Sequence, residues 1–301
     1  MKHTTQPVFV LGPTGSGKSA VAVELAELLG EVEIVSADAY QVYRELPILT
    51  AAPSEEERAR VPHHLVGFMG VEENNDAALH ARRALKAIQD ITARGKRAIV
   101  TGGSGLYVKF ISHGISPAPP SDPALRAELS ALPLEEAVRR LQEADPEGAA
   151  ATNLQNPRYV VRNLEIVLLG GKPLSHWQQN WQHEPAGPGF VITRDTAELD
   201  ARIERRTAGM LRGGVLDEVR AVAMKELSAT AAKTLGLPPI LQHLQSGETD
   251  TAQLQADIYL ATRQYAKRQR TWLRRENWFT PLEADAAATP AELAKRIAQQ
   301  I

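Results

Sequence analysis

The 301-residue sequence predicts an α/β protein: a P-loop-type parallel sheet with helices on both faces, an all-helical insertion, and a helical C-terminal region. Three observations carry that expectation. The segment Gly12-Pro-Thr-Gly-Ser-Gly-Lys-Ser19 follows the apolar run Val8-Phe-Val-Leu11 and leads into Ala20-Val-Ala-Val-Glu-Leu25. Strand and helix patterns then alternate through the first third of the chain, the rhythm of a parallel sheet covered on both faces. From about Ser116 the pattern changes to helices alone.

The first segment is G-x-x-x-x-G-K-[ST] between a strand and a helix, the context that makes it a phosphate site. The loop of Gly12, Pro13, Thr14, Gly15, Ser16 and Gly17 points backbone N–H groups at an anion, and the following helix offers its positive end to the same spot. Lys18 adds a point charge, and the Ser19 hydroxyl is placed to hold Mg²⁺. A di- or triphosphate ligand is expected.

The helix is predicted over about 18–29, followed by the strand Glu33-Ile-Val-Ser36. Asp76 opens a helix running to Ala93, and Arg97-Ala-Ile-Val-Thr101 is a strand closed by Gly102 and Gly103. Ligands in such sheets bind at the carboxyl ends of the strands. The phosphate loop, Ser36-Ala-Asp38 and Thr101-Gly-Gly-Ser-Gly105 converge there. The prolines of Pro117-Ala-Pro-Pro120 begin the insertion, with helices at 124–131, 134–143 and 157–169. Glu184-Pro-Ala-Gly-Pro-Gly189 ends it, and Phe190-Val-Ile-Thr-Arg194 reads as a strand returning to the sheet. The core is thus expected over 1–116 and 188–301, with the insertion at 117–187. Helices dominate onward to the C-terminus, with a break at Leu237-Pro-Pro239.

Composition narrows the class. Lys and Arg number 34 against 36 Asp and Glu, so any nucleic-acid site must be a local patch. Cysteine is absent, which excludes disulfides and Cys-ligated metals. The polar start Met1-Lys-His-Thr-Thr-Gln6 has no signal-peptide pattern, and no apolar run approaches membrane-span length. A cytoplasmic protein with no membrane partner, acting as a monomer, is the expectation.

The local patch is at Ile258 to Arg275. Wound as a helix, this segment sets Arg263, Lys267, Arg270 and Arg274 on one stripe, opposite Ile258, Tyr265 and Trp272. Within 263–275 six residues are Lys or Arg and none is acidic, so no partner on the same helix neutralises the stripe. A solvated helix face is one reading, and contact with a polyanion is the favoured one.

Phosphoryl-transfer proteins of this kind generally carry an apolar run ending in Asp. Here the candidate strand ends in Thr101, Gly102 and Gly103, a poor metal ligand and a good anion nest. The carboxylate left at the strand ends is Asp38, either a helix cap or a general base acting on a nucleophile opposite the phosphates. A small-molecule kinase using ATP and a non-catalytic RNA-binding protein both remain open on these residues alone.

The ordered set of motifs resembles the tRNA dimethylallyltransferase family. It comprises Pro13-Thr-Gly-Ser-Gly-Lys-Ser19, Ser36-Ala-Asp-Ala-Tyr-Gln-Val-Tyr43, Pro62-His-His-Leu65, Thr101-Gly-Gly-Ser-Gly-Leu-Tyr107, Gly171-Lys-Pro-Leu-Ser175, Arg202-Ile-Glu-Arg-Arg206 and Ala261-Thr-Arg-Gln-Tyr-Ala-Lys-Arg-Gln269. The resemblance implies transfer of a dimethylallyl group from dimethylallyl diphosphate to N6 of the adenosine at tRNA position 37, just 3′ of the anticodon. The tRNAs would be those reading codons that begin with U. It also implies Asp38 as base, Lys18 and Arg206 on the diphosphate, and Mg²⁺ as cofactor. The insertion would grip the tRNA anticodon stem-loop. RNA contacts are implied for Asp38, Ala39, Tyr40, Gln41, Ser104, Arg126, Arg158, Arg162 and Lys233 and for the stripe Arg263, Lys267, Arg270 and Arg274. Ser104 also reads as a helix N-cap. The chain departs from the family at Asn156-Pro-Arg-Tyr159, Gly236-Leu-Pro-Pro239, Thr50-Ala-Ala-Pro53 and Asn74-Asn-Asp76. The adjacent His63 and His64 read as a packed or hydrogen-bonding pair, and Trp177 and Trp181 as packing of the insertion.

Overall fold

A computed structural model describes residues 6–179, 181 and 184–301. It divides into two compact units, Met1–Ser112 with Pro185–Ile301, and His113–Glu184.

In the first unit the chain runs β1 (Val8–Leu11), α1 (Lys18–Leu29), β2 (Val32–Ala37), α2 (Pro47–Thr50), α3 (Glu55–Arg60), β3 (His63–His64), α4 (Ala77–Ala93), β4 (Arg97–Gly102) and α5 (Gly105–Ser112). The second unit holds α6 (Pro123–Ala131), α7 (Leu134–Ala144), α8 (Pro146–Ala150), α9 (Pro157–Gly170) and α10 (Leu174–Gln179). The first unit then resumes with β5 (Gly189–Thr193), α11 (Thr196–Arg212), α12 (Val215–Val222), α13 (Leu237–Ser246), α14 (Ala252–Leu273), β6 (Phe279–Glu283) and α15 (Pro290–Ala298). The expected parallel sheet is present, with six strands in the order β3-β2-β4-β1-β5-β6.

Alternation along the strands fixes the layers. Val8, Val10, Ile34, Ile99, Phe190, Ile192 and Leu282 share one core with α1 and α15 residues such as Val21, Leu25, Leu293 and Ile297. Phe9 points the other way and meets Trp278 edge-on, ring centroids 5.3 Å apart. α4 packs on β2 and β4. Asp76 caps α4 as expected, accepting from the Leu79 N–H at 2.7 Å.

The structure corrects the reading of the C-terminal third in two places. Leu237-Pro-Pro239 is the start of α13 rather than a break, because prolines are tolerated in the first helical turn and Gly236 takes the left-handed turn before it (φ 89°). Phe279–Glu283 is a strand in a stretch expected to be helical; Pro281 is accommodated because β6 is at the sheet edge.

In the second unit, Leu129, Leu141, Val160, Leu164 and Leu174 form a core of their own. Glu165 is fully buried among them and accepts from Arg126, from Arg162 at 2.5 Å, from Ser121 Oγ at 2.8 Å and from the Asp122 N–H at 3.0 Å. Arg162 also donates to the Pro119 carbonyl at 2.7 Å. Trp181 donates from its indole nitrogen to the Gly114 carbonyl at 2.7 Å.

At the other sheet edge the buried Glu33 of β2 meets His64 Nε2 at 2.7 Å, Arg94 at 2.6 Å and Lys96 at 3.0 Å. His63 Nδ1 is 2.8 Å from the Val61 carbonyl, so both histidines serve hydrogen bonds. Burial alone would raise the Glu33 pKa, but hydrogen bonds from His64, Arg94 and Lys96 outweigh it and hold it at about 2. A carboxylate depressed in the folded state contributes stability that is complete above its unfolded pKa and is lost as pH falls toward its folded one. Glu33→Gln should therefore flatten the decline in stability between about pH 4.5 and pH 2, and cost about 3 kcal/mol at neutral pH. Urea unfolding followed across that range measures both.

Candidate functional site

β1 delivers the chain into a loop whose Gly15 (φ 82°) and Gly17 (φ 91°) adopt the left-handed conformation that favours glycine. Side chains from distant elements tie this loop down. The Thr14 N–H donates to Gln269 Oε1 of α14 at 2.8 Å. Arg202 Nε donates to the Gly15 carbonyl at 2.9 Å, and Arg194 Nε to the Ser16 carbonyl at 2.9 Å. Arg206 Nη1 donates to Thr14 Oγ1 at 2.8 Å. Two of these contacts fall on the Gly15 and Ser16 carbonyls, atoms that an anion does not use.

These groups surround a cavity of about 440 Å³ lined by Thr14, Gly15, Gly17, Lys18, Ser19, Ala20, Asp38, Gln41, Thr50, Glu57, Arg202, Arg205 and Arg206. Positive charge dominates it. Burial pushes the half-buried Lys18 ammonium down to about 8, against the pull of Asp38, and Arg206 pushes it further. Burial also lowers Arg206, opposed by Asp38. Desolvated cations in a concave site are poised for a polyanion. The hydroxyls of Ser16 and Thr101 are buried without a hydrogen-bond partner among the described residues. Ser19, in the first turn of α1, lines the same cavity as Asp38 and is the residue that would hold a divalent cation.

Asp38 follows β2. Its Oδ1 accepts the Tyr40 N–H at 2.9 Å and the Gln41 N–H at 3.4 Å, so one oxygen fixes the turn while the carboxylate faces the cavity. Gln41 in turn meets Ser36 Oγ at 3.0 Å and donates to the Ala51 carbonyl at 3.0 Å. Ala39 is buried beside them. Across the strand ends, Ser104 Oγ bonds Tyr265 Oη at 3.0 Å, while its carbonyl accepts the Val108 N–H in α5. Burial raises the Tyr265 phenol, with the charge of Asp38 adding to it, which keeps it neutral. Gly103 leaves no room for a side chain: a Cβ there would lie 2.6 Å from Gln269 Nε2 and 2.6 Å from the Gly12 carbonyl.

The structure thus brings together Asp38, Lys18, Arg206 and the loop. It disposes the expected RNA contacts differently. Lys267 of α14 and Arg274 just past its end are exposed, as are Arg158 and Lys233. Arg270 donates to Thr196 Oγ1 at 2.8 Å. Arg263 is nevertheless paired, with Asp200 of α11 at 2.8 Å, a carboxylate on another helix that the absence of acids within 263–275 does not reveal. Arg126 and Arg162 are engaged by Glu165.

Sequence reasoning gave Gln269, Arg194 and Tyr265 no role at the loop. Gln269 had a signal: it stands in the buried stripe Ile258, Thr262, Ala266, Leu273 of α14, where an amide needs a partner.

Fold and site define a phosphate-loop α/β protein with an electropositive cavity at the loop. The family described as IPP transferase matches residues 41–276, and the chain belongs to that family. It is 56% identical over 294 residues to a tRNA dimethylallyltransferase of Akkermansia muciniphila, covering 98% of this chain and 99% of that protein. It is 42% identical over 287 residues to one of Geobacter metallireducens, covering 92% of each. Among solved structures, the tRNA isopentenylpyrophosphate transferase of Bacillus halodurans matches with a TM-score of 0.71 at 28% identity, over 99% of this chain and 97% of that one. A eukaryotic dimethylallyltransferase acting on tRNA shares the fold, with a TM-score of 0.83 at 23% identity over 98% of this chain and 78% of that one.

Gly103→Ala should displace Gln269 and release the Thr14 N–H. Pyrophosphate affinity, read by calorimetry, should fall roughly tenfold, about 1.4 kcal/mol. Gly209→Ala, where a Cβ meets nothing within 4 Å, should leave it unchanged.

Proposed function

We propose that this protein transfers the dimethylallyl group of dimethylallyl diphosphate to N6 of adenosine 37 in tRNAs reading codons that begin with U, releasing diphosphate. The observation that carries this reading is the convergence of Asp38 with Lys18 and Arg206 in one cavity at the phosphate loop. It is supported by full-length relatives named tRNA dimethylallyltransferase.

The chemistry follows from where charge moves. As the bond from C1 to the diphosphate oxygen breaks, negative charge grows on the leaving group, and donors aimed there lower the barrier most. The loop N–H groups, Lys18 and Arg206 are those donors. Mg²⁺ held through Ser19 would neutralise part of the diphosphate charge. The N6–C1 bond forms as the other breaks, and Asp38 takes the proton that N6 gives up. That amine is a weak nucleophile, because its lone pair is spread into the ring, so aim matters as much as basicity.

The adenine must leave its stack in the anticodon loop to reach this site, at a cost of a few kcal/mol. We assign the helical unit at His113–Glu184 to the anticodon stem-loop, with the exposed Arg158 on the RNA. Ser104, Ala39, Tyr40 and Gln41 line the path of the base, with Lys233, Lys267, Arg270 and Arg274 on the backbone. Arg126 and Arg162, held by Glu165, shape that unit rather than reach out from it. Among the described residues no helix is long and apolar enough to cross a membrane. The enzyme acts as a monomer in the cytoplasm, where its tRNA is.

Incubation with labelled dimethylallyl diphosphate and unmodified tRNA should place label in adenosine 37, and labelled γ-phosphate of ATP should reach no acceptor. Label transferred from ATP alone would make this a kinase.

A further inference from the structure

α4 turns a stripe of small apolar residues, Ala77, Ala81 and Ala84, toward the sheet, and His80 interrupts it, fully buried. An imidazole without water needs partners for its ring nitrogens. His80 Nε2 lies 2.8 Å from the carbonyl of Ser36. A carbonyl only accepts, so Nε2 carries the proton and Nδ1 a lone pair. That lone pair faces Asn75 Nδ2 at 3.4 Å. Asn75 is itself fully buried, and the opposite orientation of its amide would set Oδ1 against the lone pair. The ring also packs against Tyr107 with centroids 5.0 Å apart, and the Tyr107 hydroxyl donates to the Asn75 carbonyl at 2.9 Å. Asn75 and Tyr107 thus hold the ring in one tautomer and one orientation.

What the ring holds is the C-terminal end of β2. Ser36 precedes Asp38 by two residues, and its hydroxyl meets the Gln41 side chain, whose backbone N–H is on Asp38 Oδ1. The segment from Ser36 to Gln41 is a closed turn, and His80 attaches that turn to a long helix. We propose that His80 is a positioning residue for Asp38: by donating from Nε2 to the Ser36 carbonyl it fixes the end of β2 and so aims the carboxylate at the reacting amine. The proposal rests on the reading of Asp38 as the base. A small displacement of an aimed group costs far more in turnover than in binding.

His80→Phe keeps a ring of similar volume and removes the donor, and His80→Gln places an amide N–H near the position of Nε2. With dimethylallyl diphosphate and an unmodified tRNA as substrates, His80→Phe should lower kcat roughly ten- to hundred-fold while both KM values stay within about twofold. His80→Gln should recover most of that loss. Thermal unfolding of each variant sets the folded fraction to which kcat is referred. A His80→Phe enzyme with normal kcat, beside an inactive Asp38→Asn, would overturn the role of His80 alone. So would two variants whose kcat and KM change together in step with their melting temperatures, since a filler of the core would behave that way. An Asp38→Asn enzyme with normal turnover would remove the base, and the reason for positioning it.

Discussion

The structure depends on holding cations close together in a half-buried cavity before any anion arrives. Lys18 and Arg206 both lose protonation tendency there through burial, and each is partly restored by Asp38. Like charges brought together in a partly buried site repel, so geometry and hydrogen bonds must hold them. The holding is visible at the loop. Arg202 and Arg206 spend N–H groups on Gly15 and Thr14, so their side chains are fixed by the loop they help to form. Glu198 stands near Arg202 and Arg205, at 3.6 Å and 3.9 Å, and relieves the outer edge. A diphosphate bound here as proposed would find donors already oriented, with little reorganisation left for the reaction.

Much of this was legible in the sequence because glycine and proline constrain the backbone locally. The loop at 12–19, the cap at Asp76 and the turn at Gly102 and Gly103 are each specified within a few residues, and each stands where the pattern put it. The failures have the opposite origin. β6 pairs with β5 through long-range contacts, and its sequence Phe-Thr-Pro-Leu-Glu is too short and too exposed to show alternation. The pair Pro238-Pro239 is ambiguous by nature, since the same residues end one helix and begin another; only Gly236 before them decides. Asp200 is 63 residues from Arg263, and only the packing of α11 on α14 makes them partners. Charge on one helix says nothing about the helix beside it.

Gln269 shows how the two halves of the site are joined. Its carbonyl oxygen takes the Thr14 N–H, and its amide nitrogen lies against Gly103, so α14 clamps the phosphate loop to the end of β4. One turn earlier the same helix sends Tyr265 to Ser104. A helix that carries exposed cations outward therefore carries two polar side chains inward, one to the phosphate loop and one to the end of β4.

A phosphate-loop protein that moves a phosphoryl group generally places a carboxylate at the end of the strand beside the loop, under the metal. In this chain that position is closed by packing. β4 ends at Gly102, where a Cβ would lie 2.5 Å from the Ala37 carbonyl oxygen and 2.9 Å from its carbon, both atoms of the neighbouring strand's backbone. A side chain there would force β2 and β4 apart through a continuous parallel ladder from Val32 to Ala37. The carboxylate of the cavity comes instead from the residue just past β2, on a turn closed by its own hydrogen bonds. From there it shares the cavity with Lys18 and Arg206 yet belongs to neither the loop nor the strand beside it. It is available to a group approaching the phosphates from outside. A weakly acidic amine that must lose its proton as it bonds to carbon is such a group, which is why the proposed base is Asp38 rather than a carboxylate on β4.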